Sequence, residues 1–232
     1  MSPRSRVNAT KKEIIQVATK MFMEKGFSET TIKSICDEIQ ISTGNLTFHY
    51  PTKEHLLAVL VKMLCGFQWR EVERFLDEGS TTLQAVCAEL PAMVSICGEN
   101  AIAKDFYLSA YTYPMTMEII RRNDIERSKR VYEDYCQNWT EEQFIAAENL
   151  VSGIEYATLM DTQPSVDMNV RISGALNLIQ QIYGVPQEVR EQNIAKVLKM
   201  DYAELGRRVL RDFTEYVHEI SEWELEKLLL QL

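Results

Sequence analysis

Apolar residues recur every three or four positions through most of the chain, which is the pattern of amphipathic α-helices. The first such segment runs from Lys11 to Lys25, and its apolar positions are Ile14, Ile15, Ala18, Met21 and Phe22. No stretch alternates apolar and polar residues for long, and glycine and proline fall mostly between the periodic segments. The pattern therefore predicts an all-α protein.

Boundary residues divide this pattern into separate helices. Gly26 follows the first segment in the position that commonly ends a helix, Ser42 is a natural N-cap, and Pro51 disfavours helical geometry in the residue before it. Helices are predicted at 11–25, 32–39, 43–50, 53–77, 81–97, 101–112, 114–138, 140–161, 167–184, 187–200 and 201–230.

The two short segments 32–39 and 43–50 are joined by a tight turn at Gln40 and Ile41. Two short helices joined in this way form a helix-turn-helix, whose second helix lies in the major groove of DNA. Gly44 permits close approach of the backbone, and the Asn45 amide suits an adenine edge. We therefore expect DNA contacts from Thr31, Lys33, Ser42, Thr43, Gly44, Asn45, Thr47, Phe48, His49, Tyr50 and Lys53.

The charge distribution agrees with a DNA-binding head. The whole chain has a net charge of −9, but residues 1–62 contain nine basic and six acidic residues, and residues 63–232 contain 16 basic and 28 acidic residues. An acidic body repels phosphate, so contact with nucleic acid should be confined to the basic head.

The head resembles the TetR (tetracycline-repressor) family of transcriptional regulators. The resemblance rests on "GFSETTIKSICDEI" and "STGNLTFHYPTKEHLL" and covers about residues 12–60. It implies a helix-turn-helix domain over 1–52 and a helical effector-binding and dimerisation domain over 53–232. Gln40 departs from the family pattern, because that position usually holds glycine and often requires a left-handed backbone. Thr47 stands where the family usually has tyrosine.

Aromatic and methionine residues are frequent in the middle of the chain. Most should be core, but some could line a cavity for the small apolar or amphipathic effector that the family resemblance implies, since tyrosine supplies an apolar ring with a polar tip. The candidates are Phe67, Trp69, Met93, Phe106, Tyr107, Tyr111, Tyr113, Met115, Met117, Tyr132 and Tyr135.

A two-fold dimer is expected from segments 140–161 and 167–184, whose apolar faces and small residues could form a four-helix interface. The C-terminal extension from 187 onward could share or displace that interface. The predicted interface residues are Phe144, Leu150, Ile154, Leu159, Ile172, Leu176, Ile179 and Ile182.

Two other classes of protein remain as alternatives: an effector-independent helical DNA-binding scaffold and a helical-bundle enzyme. A di-iron bundle needs two Glu-x-x-His motifs, and only Glu215 and His218 have this spacing. No phosphate-binding loop occurs, and the five cysteines contain no C-x-x-C pair. We therefore expect no catalytic residue, metal or cofactor. With neither a signal peptide nor a spanning segment, the expected location is cytoplasmic.

Overall fold

The computed structural model describes residues 3–75, 80–160 and 166–230, with side chains described from residue 11 onward. All regular elements in this part of the chain are helices, which confirms the predicted all-α fold class. The helices are α1 (Pro3–Lys25), α2 (Ile32–Ile39), α3 (Thr43–His49), α4 (Lys53–Phe75), α5 (Thr82–Glu99), α6 (Ala101–Thr112), α7 (Pro114–Val131), α8 (Glu141–Met160), α9 (Met168–Ile182), α10 (Gln187–Val197), α11 (Tyr202–Glu219) and α12 (Glu222–Leu229).

Several helices differ from their predicted lengths. Helix α1 begins at Pro3 rather than at Lys11, and α10 ends at Val197 rather than at residue 200. The helix predicted over 114–138 ends at Val131, and the chain then turns through hydrogen bonds such as that from Tyr135 N–H to the Tyr132 carbonyl (3.0 Å). The helix predicted over 201–230 is two helices, because Ser221 starts a new one: its hydroxyl accepts from Glu224 N–H, and the Glu224 carboxylate accepts from Ser221 N–H. The predicted ends at 77 and 161 lie outside the described residues.

The chain forms two compact units. The first contains the described parts of Met1–Phe67, Asn100–Ile119 and Leu210–Leu232, and it includes the predicted head. Helix α1 packs against α2, α6 and α12 in this unit. Its apolar face is fully buried, with Ile14, Ile15, Ala18 and Phe22 all at 0% exposure.

The second unit contains Gln68–Glu99 and Ile120–Val209. Helix α5 is its centre, with α8, α9 and α10 packed around it. Nearly every residue of α5 from Leu83 to Cys97 is buried, as expected for a helix surrounded by others. Helix α11 comes so close that a Cβ at Gly206 would lie 2.5 Å from the Ala92 carbonyl oxygen, so this position requires glycine.

The boundary between the units falls inside α4, α7 and α11, since each of these helices contributes residues to both. Among the helices described, none is long and apolar enough to cross a membrane.

Candidate DNA-binding surface and effector cavity

Helix α2 and the turn after it hold α3, the predicted recognition helix, in place. Thr31 caps α2 through a reciprocal pair of bonds with Ser34, and Ile35 and Cys36 are buried. The turn is made by Gln40, which has φ 56° and ψ 43°, and its N–H donates to the Cys36 carbonyl. The left-handed conformation expected at this position is therefore present, although the residue is not glycine.

Helix α3 is anchored on one side and exposed on the other. Leu46 is fully buried, and the Ser42 hydroxyl accepts a hydrogen bond from Asn45 N–H at 3.2 Å. The opposite face is open to solvent, including an apolar ring, Phe48, that is 80% exposed. This exposed face consists of Ser42, Thr43, Gly44, Asn45 and Phe48.

Gly44 has no role in the internal packing of the head. A Cβ at this position would meet only the Ser42 hydroxyl oxygen, at 4.0 Å. The free protein would therefore accept a side chain here. Glycine at this position also allows close approach to the helix backbone from outside.

The neighbouring predicted contacts are less accessible. Thr47 is half-buried, and its hydroxyl donates to the Thr43 carbonyl at 3.0 Å. His49 is also half-buried. Its partial burial lowers its pKa, and the positive charge of Lys11 lowers it further. It can therefore offer a neutral imidazole beside Phe48. Tyr50 is 3% exposed, its hydroxyl faces the Lys11 carbonyl at 3.4 Å, and burial raises its pKa, so it is a core residue.

Lys53 has internal partners in the described structure. Its ammonium donates to the carbonyl oxygens of Phe27 (2.7 Å) and Thr30 (2.9 Å) and lies 4.1 Å from the centre of the Phe27 ring. Burial lowers its pKa. These contacts tie the start of α4 to the loop before α2.

Thr31 and Lys33, at the start of α2, are exposed as expected of surface contacts.

A small cavity lies within the second unit, between α5, α7, α8 and the end of α9. Its volume is about 30 Å³, which is room for one or two water molecules. Its walls include carboxylates and an arginine as well as apolar groups: Val86, Cys87, Glu89, Leu90, Asp124, Arg127, Ser128, Tyr132, Glu148, Val151, Glu155, Leu176, Ile179 and Tyr183.

The charged groups of this cavity form a network of two hydrogen-bonded clusters that act on each other through their charges. The Arg127 guanidinium donates to Glu89 Oε1 at 2.7 Å and to Asp124 Oδ1 at 2.9 Å. On the other side, the Tyr183 hydroxyl donates to Glu148, and the Tyr183 ring stacks on Tyr132 with centroids 3.9 Å apart.

Burial dominates the titration of this network. It raises the pKa of Glu89 to about 7, although the Arg127 charge acts in the opposite direction. It also raises the pKa of Glu148 to about 7, with a further contribution from the Asp124 charge. Burial is also the main cause that raises the pKa of Asp124. Glu89, Asp124 and Glu148 thus favour their protonated forms more than exposed carboxyls do.

The aromatic and methionine residues predicted to line an effector cavity are divided between the two units. Phe67, Phe106, Tyr107, Tyr111, Tyr113, Met115 and Met117 belong to the first unit, and Trp69, Met93, Tyr132 and Tyr135 to the second. Tyr132 lines the cavity, and the Trp69 ring lies 5.1 Å from the Arg127 guanidinium carbon. Most of the others fill apolar cores, such as Phe106 at 0% exposure.

The sequence interpretation did not identify the charged residues of the cavity. Glu89 offered a signal, because it is the one charged residue between Thr82 and Gly98 in an otherwise mostly apolar helix. A lone carboxylate inside such a helix must be paired or protonated. Arg127 and Asp124 gave no comparable signal, since α7 is rich in charge throughout.

Comparison with known families gives one match within the head. Residues 14–60 match the model for bacterial regulatory proteins of the tetR family. Among curated proteins, the chain is 26% identical over 125 residues to the HTH-type transcriptional regulator YerO of Bacillus subtilis, covering 48% of this chain and 43% of that protein. It is 26% identical over 116 residues to the regulator HbdR of Aromatoleum sp., covering 50% and 49%. The match thus spans less than half of these relatives' length.

Solved structures extend the likeness to most of the fold. RolR without ligand superposes with a TM-score of 0.58 at 13% identity, covering 79% of this chain and 95% of that one. FadR of Thermus thermophilus, a TetR-family transcriptional repressor in complex with lauroyl-CoA, gives a TM-score of 0.55 at 21% identity, covering 73% and 93%. At such identities these similarities concern the fold alone.

Proposed function

Because residues 14–60 match the tetR family of bacterial regulatory proteins, we propose that this chain is a dimeric repressor that binds operator DNA through α3 and releases it on binding a small effector. The curated relatives it matches are HTH-type transcriptional regulators, which supports a transcriptional regulator rather than an enzyme. The observation that carries the proposal is the exposed face of α3, opposite the buried Leu46.

Within this face, Asn45 is the best candidate for reading a base. It lies in the first turn of α3, is exposed, and carries an amide that can bond an adenine edge in a bidentate way. Gly44 beside it leaves room for the groove wall. Phe48 would supply an apolar contact to a thymine methyl group, while Thr43 and Ser42 reach phosphate or sugar.

The test is binding of Asn45→Ala to an operator selected from random duplexes by the unaltered protein. We expect a loss of about 1–3 kcal/mol on that operator and little change on scrambled DNA. Asn138→Ala, at an exposed position of the second unit, is the matched control. Equal losses on both duplexes would mean that Asn45 does not read sequence.

The dimer is proposed to form through exposed apolar residues of α8 and α9. Leu150 is 60% exposed, Val170 63% and Leu178 51%. A Cβ at Gly153 or Gly174 would meet no atom of the chain, so another subunit could approach closely there. Of the residues predicted for this interface, Phe144, Leu159, Ile172, Leu176 and Ile179 instead pack in the chain's own core.

Light scattering at micromolar concentration tests this dimer. The unaltered chain should have twice the monomer mass, and Leu178→Glu should shift it towards monomer, because a charge would be buried without a partner. Leu230→Glu is the control, since Leu230 is 88% exposed and directly follows α12. A monomeric unaltered protein would rule out the dimer.

The effector is proposed to bind in the second unit at the cavity around Arg127. Pockets for small molecules are usually about 300–1,000 Å³, so a ligand must widen this space, displacing side chains from the charged network. The two recognition helices of a dimer must lie about 34–36 Å apart to enter successive major grooves. To release operator, the change in the cavity has to alter this spacing. A coupling of roughly 1–3 kcal/mol would weaken operator binding about 5- to 150-fold.

A thermal-shift screen distinguishes an effector-responsive repressor from an effector-independent DNA-binding scaffold. A compound bound only by the folded form must raise the melting temperature. Such a compound should also weaken operator binding. Glu148→Gln, a substitution in the cavity, should change the affinity of the protein for the compound. A compound that stabilises the protein while operator affinity stays constant would contradict release by an effector at this site.

A further inference from the structure

The C-terminal segment Leu210–Leu229 folds with the DNA-binding head rather than with the effector unit. It comprises the second half of α11 and the whole of α12. Phe213 and Val217 are fully buried, and Ile220 and Leu225 are 3% and 2% exposed. These residues are therefore part of the same core as the helix-turn-helix.

One end of this segment packs on α4. The Phe213 ring lies 5.6 Å from the Phe67 ring, and the Tyr216 ring stacks on Phe67 at 5.2 Å and 25°. Stacked aromatic rings at such distances fix relative orientation as well as bury area. Phe67 itself is 6% exposed. Helix α4 is thus held by α11 near the limit of the first unit.

The other end packs on α1. The Gln16 side-chain amide donates to the His218 carbonyl at 2.5 Å, across 202 residues of sequence. Helix α12 then lies against α1, with Leu225 as its buried residue. A capping box at Ser221 and Glu224 gives α12 its own defined start. The turn between α11 and α12 is therefore specified by the sequence.

Helices α1 and α4 are the two that flank the helix-turn-helix in the chain. Helix α1 leads into α2, and α4 follows α3 after Pro51 and Thr52. The position of α3 depends on both, since the Tyr50 hydroxyl faces the Lys11 carbonyl in α1, and Lys53 in α4 bonds the loop before α2. A segment that contacts both flanking helices controls their spacing, and hence the position of α3.

We propose that Leu210–Leu229 is a C-terminal brace that positions the recognition helix for DNA, so that docking of the brace and binding of operator favour each other. The inference rests on the proposed function of the head as the operator-binding surface. Helix α11 starts in the second unit at Tyr202, so the brace is covalently continuous with the proposed effector unit. It offers a route from effector to head, as does α4, which also contributes residues to both units.

The experiment uses the full chain and an operator selected by it from random duplexes. Leu225→Ala removes the buried contact of α12, and Leu230→Ala is the matched control because that leucine is 88% exposed. At a temperature where both variants are folded by circular dichroism, Leu225→Ala should bind operator roughly 5- to 150-fold more weakly than Leu230→Ala.

A reciprocal readout separates positioning from simple loss of stability. If the brace and operator favour each other, adding operator to the unaltered protein must slow hydrogen exchange at the amides of α12, which lie outside the proposed DNA surface. Gln16→Ala provides a milder variant should Leu225→Ala fail to fold. It removes a single hydrogen bond to the brace and should both speed exchange in α12 and weaken operator binding.

The brace would be overturned if Leu225→Ala, or Gln16→Ala in its place, bound operator as tightly as the Leu230→Ala control. It would also be overturned if adding operator left hydrogen exchange in α12 unchanged. Failure of the unaltered chain to select any duplex would overturn the proposed function itself, and the brace with it. The two failures are therefore distinguishable in one set of measurements.

Discussion

Replacing Glu89 by glutamine should stabilise the protein at alkaline pH, even though it removes an ion pair. Glu89 accepts from Arg127 at 2.7 Å, and its side chain is 7% exposed. Asp124 accepts from the same guanidinium, so Arg127 keeps one carboxylate partner in the variant. Glutamine has nearly the shape of protonated glutamate, and its amide oxygen can still accept from Arg127.

The size of the effect follows from the pKa. Burial raises the pKa of Glu89 from its ordinary 4.5 to about 7, and each pKa unit corresponds to about 1.36 kcal/mol. Since the folded-state pKa is the higher one, stability is greatest at low pH and is lost as the pH rises from about 4.5 through about 7. Charged Glu89 therefore costs about 3 kcal/mol above pH 8, and under about 1 kcal/mol at pH 5.

Urea unfolding at pH 5 and pH 8.5, followed by tryptophan fluorescence, measures this difference. Trp69 is a suitable probe because its ring lies 5.1 Å from the Arg127 guanidinium carbon. Glu89→Gln should be more stable than the unaltered protein at pH 8.5 by up to about 3 kcal/mol and nearly equal at pH 5. Glu142→Gln, at an exposed position of α8, should show no such dependence. A Glu89→Gln variant that is destabilised at pH 8.5 would show that Arg127 outweighs burial.

Three further substitutions test the head. Lys53→Met should lower the melting temperature, since it removes charged hydrogen bonds to the Phe27 and Thr30 carbonyls. It should leave the salt dependence of DNA binding unchanged. If the slope of log affinity against log salt concentration fell by about one, Lys53 would instead make the phosphate contact expected from sequence. Gln40→Gly should stabilise the head by roughly 1 kcal/mol in thermal unfolding, because φ is 56°, and a loss would contradict the strain argument. Gly44→Ala should leave stability equal or raise it by up to about 1 kcal/mol, while weakening operator binding in a titration; unchanged affinity would place the groove elsewhere.

The helix-turn-helix could be predicted from sequence because its determinants are local. Caps at Thr31 and Ser42, the apolar spacing around Leu46 and the stop at Pro51 all act within a few residues, and α2 and α3 begin where these signals place them. The left-handed backbone at Gln40 was expected from the family resemblance, because glycine usually holds this position in the family. Which residues of the head contact DNA remains a prediction.

Features that depend on distant partners could not be read in the same way. Lys53 is bonded to carbonyls 23 and 26 residues away, and nothing in its own neighbourhood indicates them. Periodicity identified α9 as apolar but did not distinguish Leu176, which is buried, from Leu178, which is half exposed. The cavity was expected to be apolar, whereas buried carboxylates and Arg127 line it, because tertiary packing brings α5, α7 and α8 together.

The contact between Gln16 and the His218 carbonyl also has a consequence for synthesis on the ribosome. These partners are 202 residues apart, and translation proceeds at about 5–20 residues per second. The head therefore waits roughly 10–40 s for the residues that complete its core after α1 has emerged. During this interval the nascent helix-turn-helix lacks its C-terminal support, so newly made chains should acquire operator affinity only after α12 is released. For the same reason, chimeric regulators joined at residue 52 would leave the transplanted head without part of its core.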